Sequence, residues 1–510
     1  MRGVSERNLL LGVLLVAIAL RLPTVLWELP GNLHFFSYHP DELPLIGASA
    51  NLNPASGQLN PGFYNYGTLY LYLLWPAVAM STTAEGFSVG FATLLGRLLT
   101  LAMGVGSVWL VYLTAKRIAG GAAGLFAAGM LAVTPLHVQH SGFVTVDVTA
   151  TFFVTLCVYL ALKGKTGWSG FAAGLAAATK YSCGLAVVIP VLAALIDRKC
   201  GLADRAKRAA MAAGTSLGGF LLGCPGALLW HNDFRRGLEF EMNHIRTGHG
   251  FVFLETGSGY VYHLLHSLLP AMGWPLLVLS IAALAWALWK RLPWAVPFAG
   301  FLAVYYLVIG GAEVRFARYV TPLLPVLAIF SGTFVGWMNP KLRWAGFAAA
   351  GLTFVYALLL QQPLTGQDPR TDAAGWLTET QHRGKSIALV SVPWFYSPPL
   401  SPMLGALGLE QRRQAAEEVS GWRLIVPESE WDTSVLDERP DMVVMSNFEW
   451  QDRKRLGNRQ YLAFMEQLEK RYQPERRFGG DPAVRFFTLQ SALPHDMQYT
   501  FPEIVIYSAK

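Results

Sequence analysis

The sequence predicts a polytopic α-helical membrane protein of about 11 transmembrane helices, followed by a C-terminal extracytoplasmic α/β domain. Three observations predict it. Of 510 residues, 53% are hydrophobic and only 14% are charged, against about 25% charged in soluble proteins. The apolar residues gather in long runs within 1–361, while 362–510 has an ordinary mixed composition. Basic residues are dense in every second loop between runs, as the positive-inside rule requires.

A bilayer crossing takes about 20 apolar residues. The candidate spans are 8–27, 91–115, 120–136, 143–162, 209–230, 264–289, 293–310, 319–338 and 344–361. The first follows Arg2 and Arg7 and runs into WELPGN instead of a small-residue cleavage site, so it reads as a retained span and not a signal peptide. The run 168–195 is broken by Lys180 and reads as two short helices in a hairpin. Within the long first outer loop, 28–90, the stretch FYNYGTLYLYLLWP (63–76) is crowded with Tyr and Trp. Such rings favour the headgroup layer, so this stretch is expected to lie in the outer interface. With the N-terminus in the cytoplasm, fifteen Lys and Arg residues fall on inner segments and five on outer loops, and 28–90 contains neither residue type. The tail then lies outside.

The net charge of +7 has this topological cause, and no basic helix or aromatic RNA-binding motif accompanies it, so nucleic acid is excluded as a partner. Four cysteines (Cys157, Cys183, Cys200, Cys224) lack metal-ligand spacing and leave the tail without a disulfide.

Charged side chains within a bilayer are costly and mark function by default. Arg21, Arg97, Asp147 and Lys180 fall within the spans, and the predicted topology puts all four at their outer ends. Snorkelling or mutual pairing would also explain them; their convergence on one face favours a shared polar cavity. Above it runs Ser37-Tyr38-His39-Pro40-Asp41-Glu42. Adjacent carboxylates on a helix point in different directions, so one can face a reacting hydroxyl as general base while the other anchors the loop. Two more outer loops are rich in donors: Glu241 to Gly250, with His244, Arg246 and His249, and Glu313 to Tyr319. Arg315 and Arg318, three apart, would share a helical face suited to a phosphate. His244 and His249 leave a divalent metal open.

The order of these motifs resembles the GT-C glycosyltransferases, within the glycosyltransferase family 39 group: similar to protein O-mannosyltransferases and to the lipid A aminoarabinose transferase. The resemblance is carried by Arg21-Leu22-Pro23, by His-Pro-Asp-Glu at 39–42, by Thr145-Val146-Asp147, by GLAAATKYSCGLAVVIP around Lys180, and by RFARYVTPLLPVLAIFSG from Arg315. It implies a transmembrane catalytic domain over 1–361 in a bacterial cytoplasmic membrane. It also implies inverting, single-displacement transfer of a sugar from a polyprenyl-phosphate carrier at the outer face. Asp41 with Glu42, and Asp147, match the family's acidic positions; Lys180, Arg315, Arg318 and Tyr319 match its donor-phosphate elements. His39, His244 and Arg246 are added as further substrate-binding candidates. The outer loops 28–90 and 229–263 are too short for the β-trefoil of protein O-mannosyltransferases, which favours a lipid or glycan acceptor over a protein. The resemblance adds no firm cofactor requirement, and a divalent metal stays open. A polyprenyl-linked glycan transporter or flippase, or a non-catalytic assembly subunit, is the alternative; transporters place their polar site near the midplane between repeats, whereas here the charges sit at one face and no repeat is visible.

In the tail, strands are expected at 386–392, 422–426, 441–446, 484–489 and 503–508 and a helix at 458–472, with no phosphate loop or dinucleotide signature. Acceptor docking, capping of the cleft and a structural role all fit such a domain.

Overall fold

The structure, a computed structural model, describes every residue except 1–4, 32, 33, 35, 85, 383 and 401–422. Arg2 and Trp422 therefore lie outside the described residues.

The apolar runs fold as helices. In order these are α1 (Glu6–Leu26), α2 (Glu42–Ala50), α3 (Leu69–Met80), α4 (Val89–Ala119), α5 (Gly121–Val133), α6 (Pro135–His140), α7 (Val146–Leu162), α8 (Thr166–Thr179), α9 (Val188–Leu195) and α10 (Leu202–Gly223). Beyond them lie an amphipathic helix, His231–Thr247, and the helices Ala295–Gly310, Leu324–Trp337 and Arg343–Gln361. Among the described residues four helices are long and apolar enough to cross a bilayer, or five if one bent pair counts as a single span. Other expected spans are shorter helices, among them α5, α7 and Ala295–Gly310.

The expected single span 264–289 is that bent pair. Gly259–Met272 and Trp274–Trp289 meet at 114°. Gly273 stands at the corner with φ +72°, a conformation that side-chain-bearing residues rarely adopt, and Pro275 opens the second helix. Hydrophobicity alone did not reveal this corner. The expected span 209–230 likewise stops at Gly223, ahead of Pro225.

Small residues let the helices approach closely, as is usual in membranes. Along α8 and α10, a Cβ on Gly174 would lie 2.0 Å from the Ser216 carbonyl oxygen, and one on Gly219 would lie 2.4 Å from that of Phe171. This tight seam fixes the end of α8, where Lys180 sits in extended conformation before the 3-10 turn Tyr181–Val187 leads into α9. The break expected at Lys180 is present.

The tail carries a five-stranded sheet in the order Arg423–Ile425, Ser386–Leu389, Met442–Ser446, Glu503–Ala509, Tyr472–Gly479. The first three strands are parallel and the last two pair antiparallel. Helix Arg459–Arg471 covers one face through Phe464 and Leu468; helix Pro369–Leu377 covers the other through Ala373 and Leu377. The strand expected at 484–489 is instead a short helix, Arg485–Thr488, and the strand Tyr472–Gly479 was not foreseen. The β-branched and aromatic residues of 484–489 mimic a strand, yet they serve another purpose. Val484, Phe487, Leu493, Met497 and Phe501 leave the sheet and pack into the main helical core.

A leucine at Gly219 should lower the thermal midpoint of the detergent-solubilised protein, consistent with overpacking of about 1–3 kcal/mol. Leucine at Gly218, where an added Cβ meets nothing within 4 Å, should leave the midpoint nearly unchanged.

Candidate functional site

The four intramembrane charges separate into two kinds. Arg21 is tied to the helices around it: its guanidinium donates to the carbonyls of Ala17 (2.7 Å) and Ala132 (3.1 Å) and meets His137 Nδ1 at 2.8 Å, with only Nε left without a partner among the described residues. Arg97 is fully buried and donates through Nε and Nη2 to the two carboxylate oxygens of Glu42, each at 2.8 Å. It also donates to the carbonyls of Val25 (3.2 Å) and Trp27 at the end of α1. Glu42 accepts further bonds from Ser37 Oγ and from Val144 N (2.8 Å). Burial pushes its carboxyl up, and the Arg97 guanidinium outweighs this and holds it below the usual range. Of the adjacent pair, Glu42 is thus the sealed anchor, with both oxygens occupied.

Asp41, the N-cap residue of α2, points the other way. It is a quarter exposed and pairs with Arg318, Nη2 to Oδ2 3.2 Å. Asp147, in the first turn of α7, binds Lys180 Nζ at 2.6 Å. Lys180 in turn lies 4.4 Å from the centroid of the Tyr319 ring. The outer loop, α7, the α8–α9 break and the 3-10 helix Ala317–Leu323 therefore bring Asp41, Asp147, Lys180, Arg318 and Tyr319 together. Lys180 and Tyr319 line a cavity of about 90 Å³ with Tyr66, Tyr181 and Glu241, and Ile245, Val308 and Ile309 form its apolar wall. Glu241 is raised above the usual carboxylate range, chiefly by burial.

Arg318 is buried, yet its Nη1 has no protein partner. Nearby buried groups share this condition: His39 Nε2, both ring nitrogens of His140 and the hydroxyls of Thr145, Thr149 and Thr321. Buried polar atoms are normally bonded, so this group of atoms, which does not line the cavity of about 90 Å³, suits ordered water or another polar guest. His39 itself is inside the protein, not at an open surface. Its Nδ1 accepts from Asp41 N at 3.2 Å, and its ring abuts Phe143 and Tyr499.

Arg315 departs from expectation. It sits in an extended stretch before the 3-10 helix, so it does not share a helical face with Arg318. Its guanidinium is taken up by Thr256 Oγ1 (2.8 Å), the Gly257 carbonyl (2.7 Å) and Glu313 (3.2 Å), which makes it a loop clamp. His244 and Arg246 lie on the last turn of helix His231–Thr247, where Arg246 is exposed. His244 Nε2 and His249 Nδ1 meet at 3.1 Å, and among the described residues no group of three or more His, Cys, Asp or Glu is placed to hold a metal.

Sequence reasoning missed Tyr66, His140, Asp496 and Tyr499. Tyr66 belongs to the aromatic stretch read as interfacial, and its order in a cavity wall has no local signal. Asp496 and Tyr499 come from the tail, and nothing in their surroundings marks them.

Residues 72–217 match the family model described as dolichyl-phosphate-mannose-protein mannosyltransferase. That stretch holds Arg97, Asp147 and Lys180 but neither Asp41 nor Arg318. No curated protein matches the chain in sequence. In fold the chain is similar to ArnT from Cupriavidus metallidurans. Against the apo form the TM-score is 0.53 at 14% identity, covering 98% of this chain and 97% of that one. Against ArnT bound to undecaprenyl phosphate it is 0.51, at the same identity and coverage. The archaeal oligosaccharyltransferase AglB from Archaeoglobus fulgidus, in complex with an inhibitory peptide and a dolichol-phosphate, gives 0.50 at 12% identity, over 94% of this chain and 74% of that one. The chain has the GT-C fold that its motif order led us to expect.

Replacing Glu42 by Gln leaves the Arg97 charge buried without its counterion, so stability should fall by about 3–5 kcal/mol. Asn at Asp41 also removes the counterion of a buried arginine, but water reaches the Asp41 side of that pair, so its cost should be smaller than that of Gln at Glu42. Thermal melts of the two variants check this contrast. The histidines predict an acid effect. Burial lowers His39 to about 4 and His495 to about 3, both from 6.5. Between pH 6.5 and about 4 the unfolded chain takes up protons that the folded protein rejects, so stability falls as pH falls through that window. Melting curves across the window should show it, with a shallower slope once His39 is replaced by Gln.

Proposed function

We propose that this protein is a membrane glycosyltransferase that moves a sugar from a polyprenyl-phosphate carrier to a lipid or glycan acceptor at the outer face of a bacterial cytoplasmic membrane, with its N-terminus inside and its tail outside. The observation that carries the reading is the buried Arg318 guanidinium, with one arm on Asp41 and the other without a protein partner. A carboxylate and an anion-seeking cation thus stand side by side, as acceptor deprotonation and phosphate departure require. The likeness in fold to ArnT bound to undecaprenyl phosphate supports the choice of donor.

In the proposed reaction the acceptor hydroxyl oxygen attacks the anomeric carbon, and the bond from that carbon to the phosphate oxygen breaks. Asp41 receives the hydroxyl proton. Polyprenyl phosphate leaves with the bonding pair, its charge met by Arg318 and Lys180. A single displacement of this kind inverts the anomeric centre. Asp147 holds Lys180 in place, and Glu42 holds the loop that presents Asp41. The apolar wall of Ile245, Val308 and Ile309 suits the first isoprene units of the carrier.

Purified protein, incubated with a panel of polyprenyl-phosphate-linked sugars and a membrane extract as acceptor, should transfer label to the extract. Asp41→Asn should slow transfer by roughly 10²–10⁴-fold while still binding undecaprenyl phosphate. Undiminished transfer by this variant would remove Asp41 from the role of base. No transfer by the wild type with any donor of the panel would count against the enzyme reading as a whole.

A further inference from the structure

The tail segment 495–500 reaches the site from outside the helical bundle, and one of its side chains meets the backbone that carries Arg318. Asp496 is 1% exposed. Its Oδ1 accepts from Ala317 N at 2.9 Å and its Oδ2 from Arg318 N at 2.8 Å. These two N–H groups open the 3-10 helix Ala317–Leu323, where backbone donors lack a partner within the helix. Phe316, at the cap position, supplies no side-chain acceptor. The carboxylate therefore comes from 178 residues away to do what an N-cap residue ordinarily does locally.

The rest of the segment is fixed firmly enough to impose a position. Gln139 Nε2 donates to the Met497 carbonyl (3.0 Å) and to Thr500 Oγ1 (2.9 Å). Arg370 donates to the Tyr499 carbonyl at 2.8 Å. The His495 ring lies 6.0 Å from that of Phe316, over which the Arg318 guanidinium is placed at 4.2 Å. On the other flank Arg315 is clamped to Thr256 and Gly257. Arg318 thus leaves a backbone held on both sides, and its side chain reaches Asp41.

We propose that Asp496 is a positioning residue for the donor-phosphate site: the tail sets the backbone from which Arg318 reaches the phosphate of a polyprenyl carrier. The proposal rests on the reading of Arg318 as a phosphate-binding cation. Asp496 touches no substrate atom, and its effect passes through Arg318 alone. The tail is thereby part of the donor site and not only a cover above it.

The test measures dissociation constants of the full chain in nanodiscs for two probes, undecaprenyl phosphate and the uncharged undecaprenol, together with thermal midpoints. Asp496→Ala should weaken undecaprenyl phosphate about tenfold, equivalent to about 1.4 kcal/mol, and leave undecaprenol within about twofold. Asp496→Asn, which keeps one acceptor oxygen, should fall between wild type and Ala, and it serves if the Ala variant does not fold. Adding Asp496→Ala to Arg318→Ala should weaken the phosphate lipid no further than Arg318→Ala alone. Equal loss of both lipids would reduce Asp496 to a fold-holding role and overturn the proposal, as would unchanged affinity for the phosphate lipid. If Arg318→Ala itself does not distinguish the two lipids, the phosphate reading of Arg318 fails. If it does and the Asp496 variants do not, only the positioning role fails.

Discussion

The end of the helical bundle that holds the candidate site is organised around the ion pair between Glu42 and Arg97, both fully buried. Removing two charges from water costs several kcal/mol per ion, and their attraction recovers this only when the remaining donors and acceptors are also bonded. Here they are. Arg97 takes the last carbonyls of α1, which a helix end leaves without partners, and its positive charge suits that end of the helix dipole. Glu42 takes Ser37 from its own loop and Val144 from the turn before α7. One pair therefore ties together α1, the first outer loop, α4 and the entry to α7. The direction of Asp41 follows, because it is the next residue on a backbone that cannot turn.

This arrangement divides labour between neighbours. Glu42 and Asp41 are chemically near-identical and adjacent, yet one is sealed by four donors and the other, a quarter exposed, meets Arg318 alone among the described residues. Arg315 and Arg318 divide in the same way: one clamps a loop, and the other keeps an unpartnered arm. In each case burial and bonding decide which group remains available for chemistry, not residue type.

Much of this was legible in the sequence. Long apolar runs become helices because a bilayer or a buried core demands internally bonded backbone. The break at Lys180 was legible because a charge interrupts an apolar stretch. Asp147 and Lys180 stood out because isolated charges within apolar runs are rare, whereas Asp41 and Arg318 came from polar loops and from the order of the motifs. What stayed hidden depended on distant partners. The bend at Gly273 needs a φ that composition does not report. Whether Arg315 or Arg318 is free depends on Thr256 and Gly257. The apolar residues of 484–501 signal burial without naming what buries them, and 484–489 reads as a strand although Val484 and Phe487 belong to the helical core.

The contact of Asp496 with Ala317 and Arg318 also sets an order of events in biosynthesis. Asp496 leaves the ribosome 178 residues after Arg318, a delay on the order of ten to forty seconds at ordinary rates of elongation. During that interval the helices can enter the bilayer and pair while the 3-10 turn at Ala317 lacks its distant cap. The turn that carries Arg318 therefore reaches its final geometry only after the tail has been made and has folded. A chain that ends before Asp496 leaves the Ala317 and Arg318 N–H groups without that carboxylate, so the alignment of Arg318 waits on the last part of the chain to be made.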